Sequence, residues 1–245
     1  MTPSILPSFE HDLFRPVFRP FKGERWEMRI ADMVLCPGYW SPPRLVHGMA
    51  ALMRLEEDGA QTWMSMTPME IESQELGCRF AAGDTVVLGM GMGWAAANAA
   101  LRSEVSRVTV VERDSEVIAM IASLDVFGQL PEEARAKITV IEGDACLYRP
   151  DHPADTLLAD IWRPVFSADR DAEVRRMHAN IGGSRVYFWG QEMVIAHRLR
   201  KAGRQIDTRS VEEAVGDMAL PLIGPSLPDY PVLIAQAAAR WLKGA

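Results

Sequence analysis

The stretch VVLGMGMGWAAANAA, residues 86–100, decides the fold class. Apolar, β-branched residues lead into Gly89, Gly91 and Gly93, and an alanine-rich segment that favours a helix follows at once. Glycines suit such a junction because the turn is tight and a ligand there must approach the backbone closely. A tight turn without a ligand explains the same residues. This stretch by itself therefore predicts a strand, a turn and a helix.

Short β-branched runs alternate with helical segments on the C-terminal side of these glycines. Such alternation predicts βαβ units and a mostly parallel sheet. Strands are predicted at 85–88, 107–111, 137–141, 156–160 and 185–189, and two closing strands at 205–211 and 231–235. The prediction is a Rossmann-like, three-layer α/β sandwich with a seven-stranded sheet over residues 81–245.

Residues 1–80 have a different pattern. The first 22 residues are rich in Pro and Phe and predict an irregular arm, and a strand is predicted at 25–35. Asp58-Gly59 then joins two alternating runs, and this dipeptide favours a hairpin turn. We predict an N-terminal arm with a small β-hairpin element.

Composition narrows the class of protein. The chain has 245 residues, 48% of them hydrophobic, which is enough for a substantial core. Its net charge of -7 offers no broad basic face, so no nucleic-acid partner is indicated. The sequence contains no run of 18 apolar residues, the pattern that would predict a membrane span, and we expect a cytoplasmic protein. The spacing of Cys36, Cys78 and Cys146 fits neither a disulfide framework nor a metal site.

Acidic residues stand at the ends of the next two predicted strands. Glu112 lies 23 residues after Gly89, near the spacing at which an acid binds a ribose diol. Asp114 is better explained as the N-cap of the following helix. In EGDA, Asp144 can accept the exocyclic amine of adenine, and Ala145 leaves room for the ring. A solvated strand end and an ordinary acidic turn are the alternatives for these acids.

Asp160 ends the apolar strand in LLADIWRP, at the sheet edge where open α/β sheets bind ligands. Trp162 and Arg163 follow and are predicted to border a substrate. Ordinary packing and a surface salt bridge are the alternatives for these two residues. Gln191 and Glu192 follow the fifth strand, and capping of the next helix is slightly favoured over a role in the site.

The segments LGMGMG, VVERD, IEGDA and LLADIWRP, in this order, resemble motifs I to IV of class I S-adenosylmethionine-dependent methyltransferases. They are most similar to the spermidine-synthase-like branch, whose N-terminal hairpin the segment LEEDGAQTWMSMTPMEIESQE also resembles. The resemblance covers about residues 52–164. It implies S-adenosylmethionine as the cofactor, bound by the glycines, Glu112, Asp144 and Ala145. It also implies a small-molecule acceptor positioned or deprotonated by Asp160, and a homodimer formed through the N-terminal regions.

Departures from these families bear on the reaction. Met92 stands where aminopropyltransferases have the acid that holds the amine of the decarboxylated cofactor, and Arg163 replaces a second acid that holds the polyamine. A guanidinium there repels a cationic amine. The family's Tyr-His pair aligns with Ser73-Gln74. Val87 replaces the acid that methyltransferases carry two residues before the first glycine, so other groups must bind the amino-acid end of the cofactor.

Three alternatives to a methyltransferase are open at this point. Gly91-x-Gly93-x-x-Ala96 fits a dinucleotide fingerprint, and Glu112 could bind a nicotinamide-cofactor ribose. Counted from Gly89, however, the third glycine of that motif would be Trp94, whose bulk blocks the pyrophosphate. The others are an aminopropyltransferase and a homologue that binds the cofactor without turnover.

Overall fold

Two β-sheets of different kinds form the framework in the computed structural model, which describes residues 6–242. The first is antiparallel, with the order β1 (Phe21–Lys22), β2 (Trp26–Cys36), β3 (Arg44–Glu56) and β4 (Gly59–Ser65). The second is parallel, with the order β7-β6-β5-β8-β9. Its strands are β5 (Gly83–Leu88), β6 (Val105–Glu112), β7 (Ile138–Glu142), β8 (Thr156–Ala159) and β9 (Arg185–Phe188). The predictions for residues 1–5 and 243–245 lie outside the described residues.

Eight α-helices accompany the sheets within residues 6–242. They are α1 (Pro68–Phe80), α2 (Trp94–Ala100), α3 (Ser115–Ser123), α4 (Glu132–Arg135), α5 (Arg170–Ile181), α6 (Gln191–Lys201), α7 (Thr208–Met218) and α8 (Tyr230–Trp241). None of them is both long and apolar enough to cross a bilayer.

The antiparallel sheet contains the predicted hairpin, with Glu56 paired to Gly59 across the turn. The arm before it is tied to the second sheet's layer through the backbone of Phe14. Asn98 of α2 accepts a hydrogen bond from the Phe14 N–H at 2.9 Å and donates one to the Phe14 carbonyl at 3.0 Å. The N-terminal residues are therefore anchored by a buried amide as well as by their aromatic rings.

The prediction of a seven-stranded, mostly parallel sheet is wrong, because the parallel sheet has five strands within residues 6–242. Residues 205–211 and 231–235, predicted as strands, contribute to helices α7 and α8. Asp207 caps α7 by accepting the Ser210 N–H at 2.8 Å. Pro231 lies in the first turn of α8. Backbone N–H groups in the first turn make no hydrogen bond within the helix, so proline, which has no N–H, is tolerated there. Buried side chains recur at helical spacing in both segments: Val211, Ala214 and Met218 in α7, and Tyr230, Ile234, Ala237 and Ala238 in α8.

The strand order creates a crevice in the middle of the parallel sheet. From β5 the chain moves outward to β6 and β7 on one side, then returns to β8 and β9 on the other. Right-handed crossovers in opposite directions place helices on both faces of the sheet. Ligands of open α/β sheets bind at this reversal, outside the carboxyl ends of the two central strands. The central strands here are β5 and β8, so Gly89 and Asp160 mark the crevice.

Candidate active site

The glycine loop after β5 lies in close contact with the end of β8. Gly89 has φ +89°, and a Cβ on it would overlap the carbonyl oxygen of Asp160. Gly91 has φ +51°, and a Cβ there would lie 2.5 Å from the Met64 sulfur. Both positions favour glycine for backbone conformation, and Gly89 requires it for space as well, because the atom it would meet belongs to the backbone. The loop backbone is thereby exposed to any molecule held between the strand ends.

Glu112, at the end of β6, is bonded to this loop. Its Oε2 accepts the Met90 N–H at 2.9 Å, and its Oε1 accepts the Asp114 N–H at 2.9 Å. A carboxylate has about four acceptor positions, so two bonds leave capacity for a ligand. Glu112 therefore supports the glycine loop in addition to the ribose-binding role predicted for it.

Asp144 and Ala145 follow β7 in a compact turn. Asp144 Oδ1 accepts the Cys146 N–H at 2.7 Å, which fixes the turn. Ala145 is buried, with 8% of its surface exposed. The small side chain keeps this end of the crevice open.

These strand ends surround one cavity, which we call the strand-tip cavity. It encloses about 790 Å³ of non-atom space, counting its open side. Its lining includes these predicted residues: Gly89, Gly91, Glu112, Asp144, Ala145 and Asp160. Gly93 is not among them; it precedes α2 with φ +77° and faces Val126 and Phe127. The structure therefore brings together six of the seven residues predicted to bind the cofactor or act on the acceptor.

The antiparallel sheet supplies a wall of the strand-tip cavity that the sequence did not reveal. Trp26 and Arg54 are direct cross-strand partners on β2 and β3. Trp63 is an extra residue at a register shift in β4, and such a bulge redirects a side chain. The rings of Trp26 and Trp63 meet edge to face at 5.4 Å, with the Arg54 guanidinium carbon 5.2 Å from the Trp26 centroid. The alternation of inward and outward side chains along the hairpin could have indicated which residues face the cavity, but the bulge at Trp63 interrupts that alternation.

Asp114 fastens this wall to the parallel-sheet layer. Its side chain caps α3 by accepting the Glu116 N–H at 3.1 Å, as the sequence predicted. It also accepts hydrogen bonds from the Trp26 indole N–H at 2.9 Å and from the Arg25 guanidinium at 2.8 Å. Because Glu112 accepts the Asp114 N–H, the wall and the glycine loop belong to one hydrogen-bonded chain.

Asp160 lies where the central strands separate, and its N–H donates to the Leu88 carbonyl at 2.9 Å. Burial raises the pKa of Asp160 to about 7, because the charged form is poorly solvated, and the charge of Arg170 opposes that rise. Burial also raises the pKa of Glu70 in α1 well above its ordinary value, with the charge of Asp160 as a further cause. An acid that ionises near neutral pH suits proton transfer.

Arg170 is fully buried behind Asp160. Its guanidinium donates to the carbonyls of Val165 at 2.8 Å, Trp189 at 3.0 Å and Pro164 at 2.5 Å. Its Nε has no hydrogen-bond partner among the described residues. Burial lowers the pKa of Arg170 to about 10, a direction that the charge of Asp160 opposes. Arg170 therefore fixes the loop after Asp160 and supplies positive charge near it.

Trp162 and Arg163 lie outside the strand-tip cavity lining. The Trp162 indole N–H donates to Glu173 at 2.5 Å, and the Arg170 guanidinium carbon lies 4.7 Å from its ring centroid. Arg163 approaches Glu56 of β3 at 3.7 Å. Their predicted roles toward a substrate remain predictions.

Glu192 is completely buried, whereas the sequence favoured a helix cap at its position. Hydroxyls of Tyr39, Tyr187 and Tyr230 each lie 3.1 Å from its carboxyl oxygens. Burial raises the pKa of Glu192 to about 7, and the hydroxyl donors oppose the rise. We call these four residues the tyrosine–glutamate cluster. It joins the loop after β2 to β9, α6 and α8.

No group of three His, Cys, Asp or Glu side chains arranged to hold a metal ion occurs within residues 6–242.

Comparison with known proteins yields partial structural likenesses. No protein-family model and no curated protein matches the chain. The glycopeptide N-methyltransferase MtfA, solved with S-adenosyl-L-homocysteine, is 21% identical over 45% of this chain and 41% of its own, with a TM-score of 0.34. The methyltransferase domain of bacterial CtHen1 is 17% identical over 48% of this chain and 65% of its own, with a TM-score of 0.38.

A complex of DhpI with S-adenosylhomocysteine is 19% identical over 46% of this chain and 54% of its own, with a TM-score of 0.33. This chain thus spans less than two thirds of the length of each of these three proteins. Likenesses of this size carry no weight for function.

Proposed function

We propose that the protein is an S-adenosylmethionine-dependent methyltransferase that acts on a small molecule. One observation carries the proposal: the ends of β5, β6, β7 and β8 meet at a single cavity, with glycine backbone, Glu112, Asp144 and Asp160 in its lining. The glycine loop fits a cofactor held against its backbone, because Gly89 and Gly91 line the cavity and carry no side chain that would fill it.

The charge of the strand-tip cavity favours a cationic cofactor. Its lining contains the carboxylates Glu112, Asp114, Asp144 and Asp160 against the two guanidinium groups of Arg54 and Arg113. An excess of negative groups attracts a sulfonium and repels a pyrophosphate. This balance supports S-adenosylmethionine over a nicotinamide dinucleotide, the alternative that the glycine spacing left open.

Each residue then has a chemical task. Glu112 binds the ribose hydroxyls with the acceptor capacity that the loop leaves free, and Asp144 accepts the adenine amine beside the small Ala145. The cofactor supplies a methyl group on a sulfonium, a neutral thioether being the group released. Asp160 orients an O–H or N–H of the acceptor and takes its proton, for which a pKa of about 7 is suited.

Several finer assignments belong to the same proposal. The chain is related to the spermidine-synthase-like branch, with residues 81–245 as the cofactor-binding domain and residues 1–80 as the element that selects the acceptor. Trp162 and Arg163 border the acceptor. The protein works in the cytoplasm as a homodimer.

Cofactor titration tests the proposal. Glu112→Ala should weaken S-adenosylmethionine binding by about 1 to 3 kcal/mol, the scale for hydrogen bonds to a charged group. Glu142 is the register partner of Glu112 on β7 and lies outside the cavity lining, so Glu142→Ala is a matched control that should bind normally. Calorimetry with S-adenosylmethionine, its decarboxylated form and NAD measures both. Unchanged affinity in Glu112→Ala, or tight binding of another ligand alone, contradicts the proposal.

A further inference from the structure

One face of β3 runs along the strand-tip cavity and becomes more polar toward solvent. Side chains two residues apart on a strand share a face. Leu52 is fully buried and Arg54 is half-buried, and both line the cavity. Glu56, the next residue on this face, is exposed and lies outside the lining. This face of β3 therefore leads from an apolar wall, past a cation, to the solvent side of the cavity.

The Arg54 guanidinium is positioned by two aromatic rings. Its carbon lies 5.2 Å from the Trp26 ring centroid and 6.0 Å from that of Trp63. Its nearest ion-pair partner is Glu56, 3.9 Å from Nε, which is beyond hydrogen-bond distance. Arg54 donates no hydrogen bond to another residue within residues 6–242. Its N–H donors are thus available to a ligand and are already held in one place.

Glu56 lies between two guanidinium groups. Arg163, in the loop after β8, approaches Glu56 Oε1 at 3.7 Å, and Arg54 approaches the same oxygen at 3.9 Å. The other carboxylate oxygen accepts a hydrogen bond from Gln61 at 2.7 Å. One carboxylate thus faces two cations without a hydrogen bond to either. The solvent side of the cavity therefore carries an excess of positive charge.

The negative and positive groups around the cavity come from different layers. The carboxylates Glu112, Asp144 and Asp160 follow strands of the parallel sheet. Arg54 belongs to the antiparallel sheet, and Arg163 reaches the end of that sheet. A sulfonium is attracted by the first group and an anion by the second. A molecule that extends from Asp160 to the solvent side of the cavity is favoured if it carries its negative charge at the far end.

We propose that the methyl acceptor is a small organic acid whose carboxylate is bound by Arg54 and Arg163. Its apolar body packs against Leu52, and the O–H or N–H that receives the methyl group lies beside Asp160. The planar Arg54 guanidinium can donate two parallel hydrogen bonds to a carboxylate. Arg54 and Arg163 are then specificity-determining residues that select acids over amines. This inference rests on the proposed function, because it presumes a methyl acceptor at Asp160.

Acids and amides of matched shape test the charge of the acceptor alone. The probes are 4-hydroxybenzoate with 4-hydroxybenzamide, and 6-hydroxyhexanoate with 6-hydroxyhexanamide; 6-aminohexanol supplies the opposite charge. Calorimetry is performed with the protein saturated by S-adenosylhomocysteine. The acid of at least one pair should bind about 10- to 100-fold more tightly than its amide, the scale for hydrogen bonds between charged groups. No preference for either acid, or tighter binding of 6-aminohexanol, overturns the inference.

Substitutions at the three charged residues should change acid binding in opposite directions. Arg54→Gln should reduce the preference for the acid to about 2-fold or less, whereas Arg54→Lys, which keeps the charge, should retain part of it. Arg163→Gln should weaken acid binding by about 3- to 10-fold, because Arg163 is more exposed. Glu56→Gln should strengthen acid binding by about 2- to 5-fold, because it removes a carboxylate that attracts both guanidinium groups and repels the ligand.

Arg29→Gln is the matched control. It removes the same charge from β2 at an exposed position outside the cavity lining, where Arg29 donates to Glu27 at 2.7 Å. It should leave the preference for the acid unchanged, and thermal unfolding checks that every variant is folded. Equal losses in Arg29→Gln and Arg54→Gln, or weaker acid binding in Glu56→Gln, contradict the inference.

Binding of S-adenosylhomocysteine separates this inference from the proposed function. Arg54→Gln should change that affinity by no more than about 2-fold, because Arg54 is assigned to the acceptor; a loss as large as that for the acid would refute the assignment. If the unaltered protein does not bind S-adenosylhomocysteine, the proposed function itself fails. If it binds S-adenosylhomocysteine but does not prefer acids to amides, the inference alone fails.

Discussion

Replacing Glu192 by Gln should change how stability depends on pH. The Tyr187 hydroxyl has one proton but two acceptors, the Ser73 carbonyl at 2.8 Å and Glu192 Oε1 at 3.1 Å. A proton on Glu192 fills the second contact by donating to the Tyr187 oxygen. The geometry of the tyrosine–glutamate cluster therefore agrees with the raised pKa of Glu192, about 7 against an ordinary 4.5.

The sign follows from proton binding in the two states. Between pH 4.5 and about 7 the unfolded chain ionises Glu192 while the folded protein keeps its proton, so folding stability falls as pH rises. At about 1.4 kcal/mol per pH unit, this interval corresponds to about 3 kcal/mol, of which roughly 2.5 kcal/mol falls between pH 5 and pH 8. Glu192→Gln lacks this loss. The variant should therefore gain about 2.5 kcal/mol relative to the unaltered protein between pH 5 and pH 8.

Urea unfolding at both pH values measures the gain, and any constant effect of the substitution cancels in the difference. Glu212→Gln, the same change on the exposed face of α7, controls for the altered net charge. Parallel stability curves for Glu192→Gln and the unaltered protein would mean that Glu192 is ionised in the folded state. The reasoning about the cluster would then be refuted.

Two further substitutions test other parts of the structure. Arg170→Met should lower the free energy of unfolding by about 3 kcal/mol, because the carbonyls of Pro164, Val165 and Trp189 lose their buried donor. It should also raise the pKa of Asp160 above about 7, because the positive charge that opposes the effect of burial is lost. The ratio of the affinities for S-adenosylmethionine and S-adenosylhomocysteine, measured as a function of pH, reports this pKa. Arg170→Lys should show a smaller shift. Ala219→Gly should raise the free energy of unfolding by about 0.5 to 1 kcal/mol in urea, because Ala219 ends α7 with φ +52°. No gain there would mean that this backbone conformation carries no strain.

Local pattern predicted the five strands of the parallel sheet and most of the residues that meet at the strand-tip cavity. Each strand reads as a short apolar run, and each ends in residues whose chemistry differs from the run, as in Leu88-Gly89 and Ala159-Asp160. Because parallel strands share one carboxyl edge, placing these ends in sequence also places them in space. Glu112, Asp144 and Asp160 could be brought together by that rule without any tertiary information.

The closing helices and the cavity wall were missed for different reasons. Segments 205–211 and 231–235 contain β-branched residues, but helical packing of Val211 and Ile234 prevailed over propensity, as tertiary context often does. The positions of Trp26 and Trp63 in the cavity wall depend on how the antiparallel sheet packs against the parallel sheet. No local pattern encodes that packing.

The wall made by Trp26, Arg54 and Trp63 has a consequence for ligand binding. A molecule in the strand-tip cavity touches both layers of the protein, so its binding energy also holds the layers together. Coupling of this kind is reciprocal: a change that stabilises the contacts of Asp114 strengthens binding of the molecule, and the bound molecule stabilises those contacts by the same free energy.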